Sequence, residues 1–100
     1  MGKKLEPITP GEILQEEFLA PLEISQNKLA RDLDVPVGRI SDIVRGKRAI
    51  TIDTALRLAL YFGTTPEFWV SLQTRYDLKI AKRELLPDIE RDVRPIEKIA

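Results

Sequence analysis

The apolar residues of this chain recur at intervals of three and four, which is the spacing of one face of an α-helix. Short periodic segments alternate with clear stop signals, and no stretch has the strict alternation that is typical of a strand. The pattern therefore predicts an all-α fold of five helices. One hundred residues leave no room for a second core, so we expect a single domain over residues 1–100.

The start of the first helix is marked by a capping signal. Thr9 and Glu12 have the spacing of a capping box, and Pro10 between them suits the first helical position. An apolar stripe follows, formed by Ile13, Leu14 and Phe18. Because proline interrupts the hydrogen bonds of a helix, we expect Pro21 to end this one.

Two short helices are predicted next. Ser25 is the expected cap of the second helix, which should begin near Gln26. Pro36 disfavours a helical residue before it and fits as the first residue of the third helix. That helix should run to about Arg45, where Gly46 supplies a C-terminal stop.

The fourth predicted helix is the most apolar element of the chain. Thr51 caps it and Gly63 ends it. We expect it to form the centre of the core through Ile52, Leu56, Ala59, Leu60 and Phe62. A fifth helix opens at a Thr-Pro pair, in "TTPEFW", and the residues beyond Pro87 show no clean period.

The composition argues against catalysis and metal binding. The chain has no cysteine and no histidine, so it lacks disulfides, thiolate zinc ligands and the commonest general base. No segment resembles a glycine-rich phosphate loop or a nucleophile elbow, and the acidic residues are scattered. We therefore expect no enzyme activity, no metal and no cofactor. A carboxylate-based enzyme is the most distant alternative.

Nothing in the sequence indicates a membrane or a secreted protein. No apolar run approaches the roughly 20 residues that span a bilayer. The start "MGKKLEPITPGEIL" lacks the apolar segment of a secretory signal. A cytoplasmic location is the default expectation, with no membrane partner.

The second and third predicted helices have the layout of a helix-turn-helix, with its core at about residues 26–46. They are short, separated by a few residues and apolar on facing sides. Their close approach requires a small residue, which Ala30 supplies. The turn requires a residue that tolerates a left-handed backbone, and Asp34 occupies that position. The buried face is provided by Val35, Ile40 and Ile43.

Charge is unevenly distributed along a chain that is neutral overall. Residues 26–48 contain six basic and three acidic residues, a net charge of +3. Residues 1–24 have a net charge of −3. A local positive face is what attraction to phosphates requires. The alternative is that the basic residues complement a helix dipole on a solvated surface.

Several residues of this segment have the chemistry of DNA recognition. If the third helix enters a major groove, its first residues meet base edges. Arg39 suits bidentate contact with guanine, Val37 suits a thymine methyl, and Gly38 lets the backbone come close. Gln26 can donate to a phosphate at the start of the second helix. Phosphates would also be met by the cations that follow the third helix, Arg45, Lys47 and Arg48.

These residues resemble a known family. The stretch "SQNKLARDLDVPVGRISDIVRGKRAIT" is similar to the helix-turn-helix of the Xre/Cro repressors. The flanking segments "TPGEILQEEFLAPLEIS" and "DTALRLALYFGTTPEFWVSLQTRYDL" resemble the HigA-type antitoxins, also called the VapI group. The part "FGTTPEFWVSLQ" is the most specific, because generic Xre repressors lack it. The likeness covers about residues 8–95.

The resemblance implies a five-helix, lambda-repressor-like domain that binds a palindromic operator as a homodimer. It also implies repression of a toxin–antitoxin operon and a partner toxin of the RelE-like, HigB-type class, which cleaves mRNA on the ribosome. By positional match, the DNA-facing residues would be Gln26, Val37, Gly38, Arg39, Ser41 and Asp42. Contacts to the DNA backbone would be made by Arg45, Lys47 and Arg48.

The resemblance assigns dimerisation to the last helix and tail, residues 66–100. Trp69, Tyr76 and Ile80 follow helical spacing on this helix. We expect Trp69 to pack into its own core. Tyr76 and Ile80 lie later in the helix and close to the tail, and we expect them in the dimer contact.

A toxin partner is expected to bind away from the third helix, so that DNA and toxin can be held together. The candidate surface is the acidic N-terminal third, with Glu12, Glu16 and Glu17. The resemblance implies a basic toxin, because RNA-cleaving toxins of the resembled class bind RNA, and opposite charges speed and orient association. The alternative is that these glutamates only solubilise the first helix and favour its N-terminal half.

Two further functions remain open on the sequence. The protein could be a stand-alone Xre-family repressor without a toxin. It could also be a protein-binding module that keeps the fold and has lost DNA binding, because fold alone does not determine function.

Overall fold

In the computed structural model, which describes residues 6–97, every regular element is a helix. Helix α1 is one continuous run with an α-helical start, Pro10–Ile13, a π-helical middle, Leu14–Leu19, and an α-helical end, Ala20–Leu22. The remaining helices are α2 (Gln26–Leu33), α3 (Val37–Val44), α4 (Ile52–Phe62), α5 (Pro66–Glu84) and α6 (Leu86–Asp92). The predicted all-α class is confirmed, with one helix more than expected.

Side-chain caps fix the predicted helix starts. The Thr9 hydroxyl accepts the backbone N–H of Glu12 at 3.1 Å, and the Glu12 carboxylate accepts the backbone N–H of Thr9 at 2.9 Å, which completes the capping box. The hydroxyls of Ser25, Thr51 and Thr65 each accept the N–H three residues further on. These caps satisfy N–H groups that have no partner within the first turn of a helix.

Helix ends also follow the prediction, except at α1. Gly46 and Gly63 have φ values of 77° and 74° and end α3 and α4 as expected. Pro21 does not end α1, which continues to Leu22 before Glu23 turns left-handed at φ 56°. The π-helical bonds that precede Pro21 reach one residue further back than α-helical bonds. This shift relieves the contact between the proline ring and the carbonyl four residues earlier.

The core is centred on Trp69, which is fully buried, as predicted. Its indole N–H donates to the Thr64 hydroxyl at 2.8 Å. The rings of Phe18 and Phe68 lie with their centroids 4.9 Å from that of Trp69, and Phe62 lies at 6.2 Å. This cluster joins α1, α4 and α5 into one body.

Helix α4 buries only part of the face that was expected, including Ala59, with Phe62 packed against the core. Ile52, Leu56 and Leu60 are 62%, 49% and 88% exposed, so the expectation that they form the core is wrong. The buried face carries Thr54, Ala55, Leu58 and Ala59. Because α4 is apolar around most of its circumference, its sequence did not indicate which side packs inward. The small residues of the buried side allow close approach to neighbouring helices.

The C-terminal part of the structure projects from the body. We define the body as residues 9–77 and the arm as residues 78–97, which contain the end of α5 and all of α6. No residue of the arm is buried. The radius of gyration is 17.4 Å, against roughly 13 Å for a compact domain of this length. Within residues 6–97, no helix has the length and apolar character needed to cross a bilayer.

Candidate nucleic-acid interface

Helices α2 and α3 form a helix-turn-helix whose turn has the predicted geometry. Asp34 adopts the left-handed conformation, with φ 61° and ψ 49°. The N–H of Val35 donates to the carbonyl of Ala30 at 3.0 Å, which closes the end of α2. Ala30 is buried where the two helices approach each other. The turn therefore needs no glycine, because aspartate is among the few residues that tolerate this backbone.

Helix α1 holds the far end of α3 through a backbone contact. A β-carbon at Gly11 would overlap the carbonyl oxygen of Ile43 and lie 2.9 Å from the Cα of Val44. The absence of a side chain at Gly11 thus lets the first turn of α1 rest directly on the last turn of α3. Sequence reasoning gave no reason to single out this glycine.

The N-terminal end of α3 is open to solvent. Val37 is 44% exposed, and a β-carbon at Gly38 would meet nothing within 4 Å. The opposite side of the helix is anchored by Ile40 and Ile43, which are buried. This end of α3 has the free surface that a recognition helix presents to a groove.

Gln26 and Ser41 meet at the junction of α2 and α3. The Ser41 hydroxyl donates to the side-chain carbonyl of Gln26 at 3.0 Å. Among residues 6–97, nothing accepts from the amide NH2 group of Gln26. The bond therefore orients the Gln26 side chain while leaving its donors available.

The acidic residue on this face is neutralised by two of the cations that follow α3. Asp42 contacts Arg45 at 3.2 Å and Arg48 at 3.6 Å. Lys47 is exposed, and its backbone N–H donates to the carbonyl of Asp42 at 2.7 Å across the left-handed Gly46. These contacts offset the repulsion that an isolated carboxylate would exert on a phosphate.

Arg39 is engaged with the start of α4. Its Nη1 donates to the Asp53 carboxylate at 2.8 Å and lies 3.5 Å from the Thr54 hydroxyl. Asp53 also accepts from Nε of Arg57 at 2.9 Å. Hydrogen bonds from Arg57 and then from Arg39 lower the pKa of the Asp53 carboxyl below its ordinary value. Of these two contacts, the sequence indicated only the one between Asp53 and Arg57, through their four-residue spacing on a helix.

The nine predicted DNA-facing residues lie in three connected places. They occupy the start of α2, the exposed side of α3 and the loop after α3. The contacts between Ser41 and Gln26, and between Asp42 and Arg48, bring these places together. Asp53 and Arg57, which the sequence did not assign to DNA binding, border the same face.

The residues predicted for dimer and toxin contacts lie on α1 and α5, and Tyr76 shares a cleft with Lys47 and Arg48. Tyr76 is half-buried in a cleft next to Thr9 and Pro10, and Ile80 is half-buried in α5. An apolar groove runs along the arm, lined by Leu78, Ala81, Lys82, Leu85, Leu86 and Ile89. Glu12 is occupied in the capping box, whereas Glu16 and Glu17 are exposed on the π-helical part of α1.

A family model described as helix-turn-helix matches residues 15–69. The chain belongs to the helix-turn-helix family, in its Xre/Cro branch. Virulence-associated protein I of Dichelobacter nodosus is 45% identical over 102 residues, covering 96% of this chain and 94% of the relative.

Solved structures in the family superpose closely. The Pseudomonas aeruginosa antitoxin HigA with the higBA promoter has a TM-score of 0.88 and 44% identity, covering 91% of this chain and 99% of that one. An addiction module antidote protein of a HigA family from Coxiella burnetii has a TM-score of 0.84 and 50% identity, with the same coverage. This helix-turn-helix protein is therefore similar to these HigA antitoxins over 91% of its length.

Proposed function

We propose that this protein is a DNA-binding antitoxin that represses its own operon. The observation that carries the proposal is the exposed N-terminal end of α3, with Arg39, Arg45, Lys47 and Arg48 beside it. The likeness of the chain to the P. aeruginosa antitoxin HigA, which was solved with the higBA promoter, supports the same proposal. In this mode α3 enters a major groove while the loop after it meets phosphates.

The proposal is tested on the DNA upstream of the gene, over a series of salt concentrations. Arg39→Ala should cost about 1–3 kcal/mol and relax specificity at one position in each half-site. Lys47→Ala should weaken binding to all sequences alike and reduce the salt slope by about one. Binding that shows no sequence preference and no salt dependence would refute the assignment of this face to DNA.

We further propose that the protein acts as a homodimer whose two copies contact each other through the arm. The groove from Leu78 to Ile89 is apolar and has no cover among residues 6–97. Tyr76 and Ile80 lie on the same helix, at the base of the arm. Two-fold pairing would present two copies of α3 to half-sites about one helical turn, or ~34 Å, apart.

Sedimentation of three variants tests the dimer. Ile80→Asp, or truncation before Pro87, should produce monomers, because a charge or a missing helix removes the apolar contact. Leu60→Asp is the matched control, since Leu60 is an exposed leucine on α4, outside the arm. Monomers from Leu60→Asp, with dimers from Ile80→Asp, would assign the dimer contact to the exposed side of α4 instead.

The proposed toxin partner is a basic, HigB-type mRNA-cleaving protein held by Glu16 and Glu17 on α1. Both carboxylates are exposed on α1, so their charge is available to a cationic partner. Glu12 contributes less, because its carboxylate already caps α1.

Capture of the neighbouring gene's product tests this surface. Glu16→Lys with Glu17→Lys should slow association, most strongly at low salt. The control is Glu67→Lys with Glu90→Lys, which makes the same charge change on α5 and α6. Equal rates for both double variants would remove the acidic face from the proposal. Operator binding without any toxin capture would favour a stand-alone repressor.

A further inference from the structure

Three charged side chains link the helix-turn-helix turn to the recognition helix through α4. Nη1 of Arg57 donates to the carbonyl of Leu33, at the end of α2, at 2.8 Å. Nε of Arg57 donates to Asp53 at 2.9 Å, and Asp53 accepts Nη1 of Arg39 at 2.8 Å. The position of the Arg39 guanidinium is thus set by a continuous series of hydrogen bonds that begins at the backbone of the turn.

This series of hydrogen bonds engages only one nitrogen of the Arg39 guanidinium. An arginine side chain has five N–H donors, and here Nη1 meets Asp53 and Thr54. Among residues 6–97, no hydrogen bond involves Nε or Nη2 of Arg39. These two nitrogens form a planar fork that matches the O6 and N7 acceptors of guanine.

Restraint of this kind changes what an arginine recognises. A free arginine can contact a phosphate, which carries no sequence information, as readily as a base. A guanidinium that is already held in one orientation also loses less side-chain entropy when it binds. We propose that Asp53, held by Arg57, is a specificity-determining positioning residue that directs the Nε and Nη2 edge of Arg39 to a base. This inference rests on the DNA-binding function proposed above.

The position of Asp53 has an electrostatic cost for general DNA binding. It lies in a cleft with Arg39, Arg48 and Arg57, close to where phosphates would approach. A carboxylate there repels phosphates and lowers affinity for any sequence. Asp53 is therefore expected to have opposite effects on the two kinds of binding, weakening non-specific contact and sharpening discrimination.

The test is Asp53→Asn, measured by selection from a random-sequence DNA library and by binding to a single non-specific duplex. We expect affinity for the non-specific duplex to rise about threefold, because one negative charge is removed. Discrimination should fall about tenfold at the same base-pair position that Arg39→Ala affects. Asp53→Glu, which keeps the charge, should retain part of that discrimination.

Asp32→Asn is the matched control. Asp32 also pairs with a cation, Lys28, at 2.8 Å and accepts a hydrogen bond from Tyr61 at 2.7 Å. It makes no contact with Arg39, so this variant should keep the wild-type sequence preference. The double variant Arg39→Ala, Asp53→Asn should have the preference of Arg39→Ala alone, because Asp53 acts through Arg39.

The outcomes separate this inference from the function on which it rests. Wild-type discrimination by Asp53→Asn, alongside an altered preference for Arg39→Ala, overturns the positioning role. A loss spread evenly over all positions also overturns it, because that result indicates a structural role. Absence of any sequence preference in the wild-type protein instead refutes the proposed DNA-binding function itself.

Discussion

The body and the arm both contain large apolar side chains, but they differ in how far they bury them. Among residues 6–97, the twelve buried residues of the hydrophobic core lie between Leu14 and Trp69, inside the body. The arm also has large apolar residues, of which Leu78, Leu85, Leu86 and Ile89 are exposed and Ile80 is half-buried. The body therefore has a hydrophobic core of its own, whereas the arm presents apolar side chains that are suited to contact with another molecule.

The largest expected difference comes from truncating an aromatic side chain in the body. Trp69→Ala should lower the free energy of unfolding by about 3–5 kcal/mol, because it empties the centre of the aromatic cluster. Leu85→Ala in the arm should lower the free energy of unfolding far less, once the protein is diluted enough to be monomeric. Urea unfolding at matched low concentrations measures both. Similar decreases in the free energy of unfolding for the two variants would contradict the distinction between body and arm.

A smaller effect is expected where α1 touches α3. Gly11→Ala should lower the free energy of unfolding by about 1–3 kcal/mol, because the new methyl group must displace backbone atoms of Ile43 and Val44. Operator affinity should fall as well, since the end of α3 moves. An unchanged unfolding midpoint would mean that α1 does not hold α3 in this way.

Gly38→Ala is the counterpart of that change on the open side of α3. A β-carbon at Gly38 meets nothing within 4 Å, so alanine should raise the free energy of unfolding, by up to about 1 kcal/mol. The same methyl group should weaken operator binding if DNA approaches the backbone there. Thermal unfolding and operator titration, made on one preparation, separate the two effects. A destabilised variant would contradict the open geometry of this position.

The smallest effect concerns the surface pair of α2 and α4. Hydrogen bonds from Lys28 and then Tyr61 lower the pKa of the Asp32 carboxyl. A carboxyl with a lowered pKa stabilises the fold above its unfolded pKa of about 3.9, and that contribution is lost as pH falls through the lower, folded value. Asp32→Asn should therefore show a smaller loss of stability between pH 5 and pH 2 than the wild type. Identical pH profiles, followed by urea unfolding, would exclude a contribution from this pair.

Local signals predicted the helix boundaries well. Thr9, Ser25 and Thr51 cap helices because their hydroxyls satisfy N–H groups a few residues away, and neighbouring sequence alone determines this. The left-handed turn at Asp34 and the burial of Trp69 were likewise expected from their positions.

The missed features depend on contacts between distant parts of the chain. The buried side of α4 could not be chosen, because apolar residues such as Leu60 lie outside the buried stripe as well. Helix α6 was missed because it buries no residue and so has no apolar period. The ion pair of Arg39 with Asp53 joins residues on different helices, which no local spacing reveals.

The projection of the arm has a consequence for how operators change over time. If two copies join through their arms, the geometry of the arm determines the distance and rotation between the two copies of α3. A substitution or small insertion within residues 78–97 would then alter which spacing of half-sites is accepted, while every residue that meets a base stays the same. Spacing and sequence preference could thus diverge independently among related proteins.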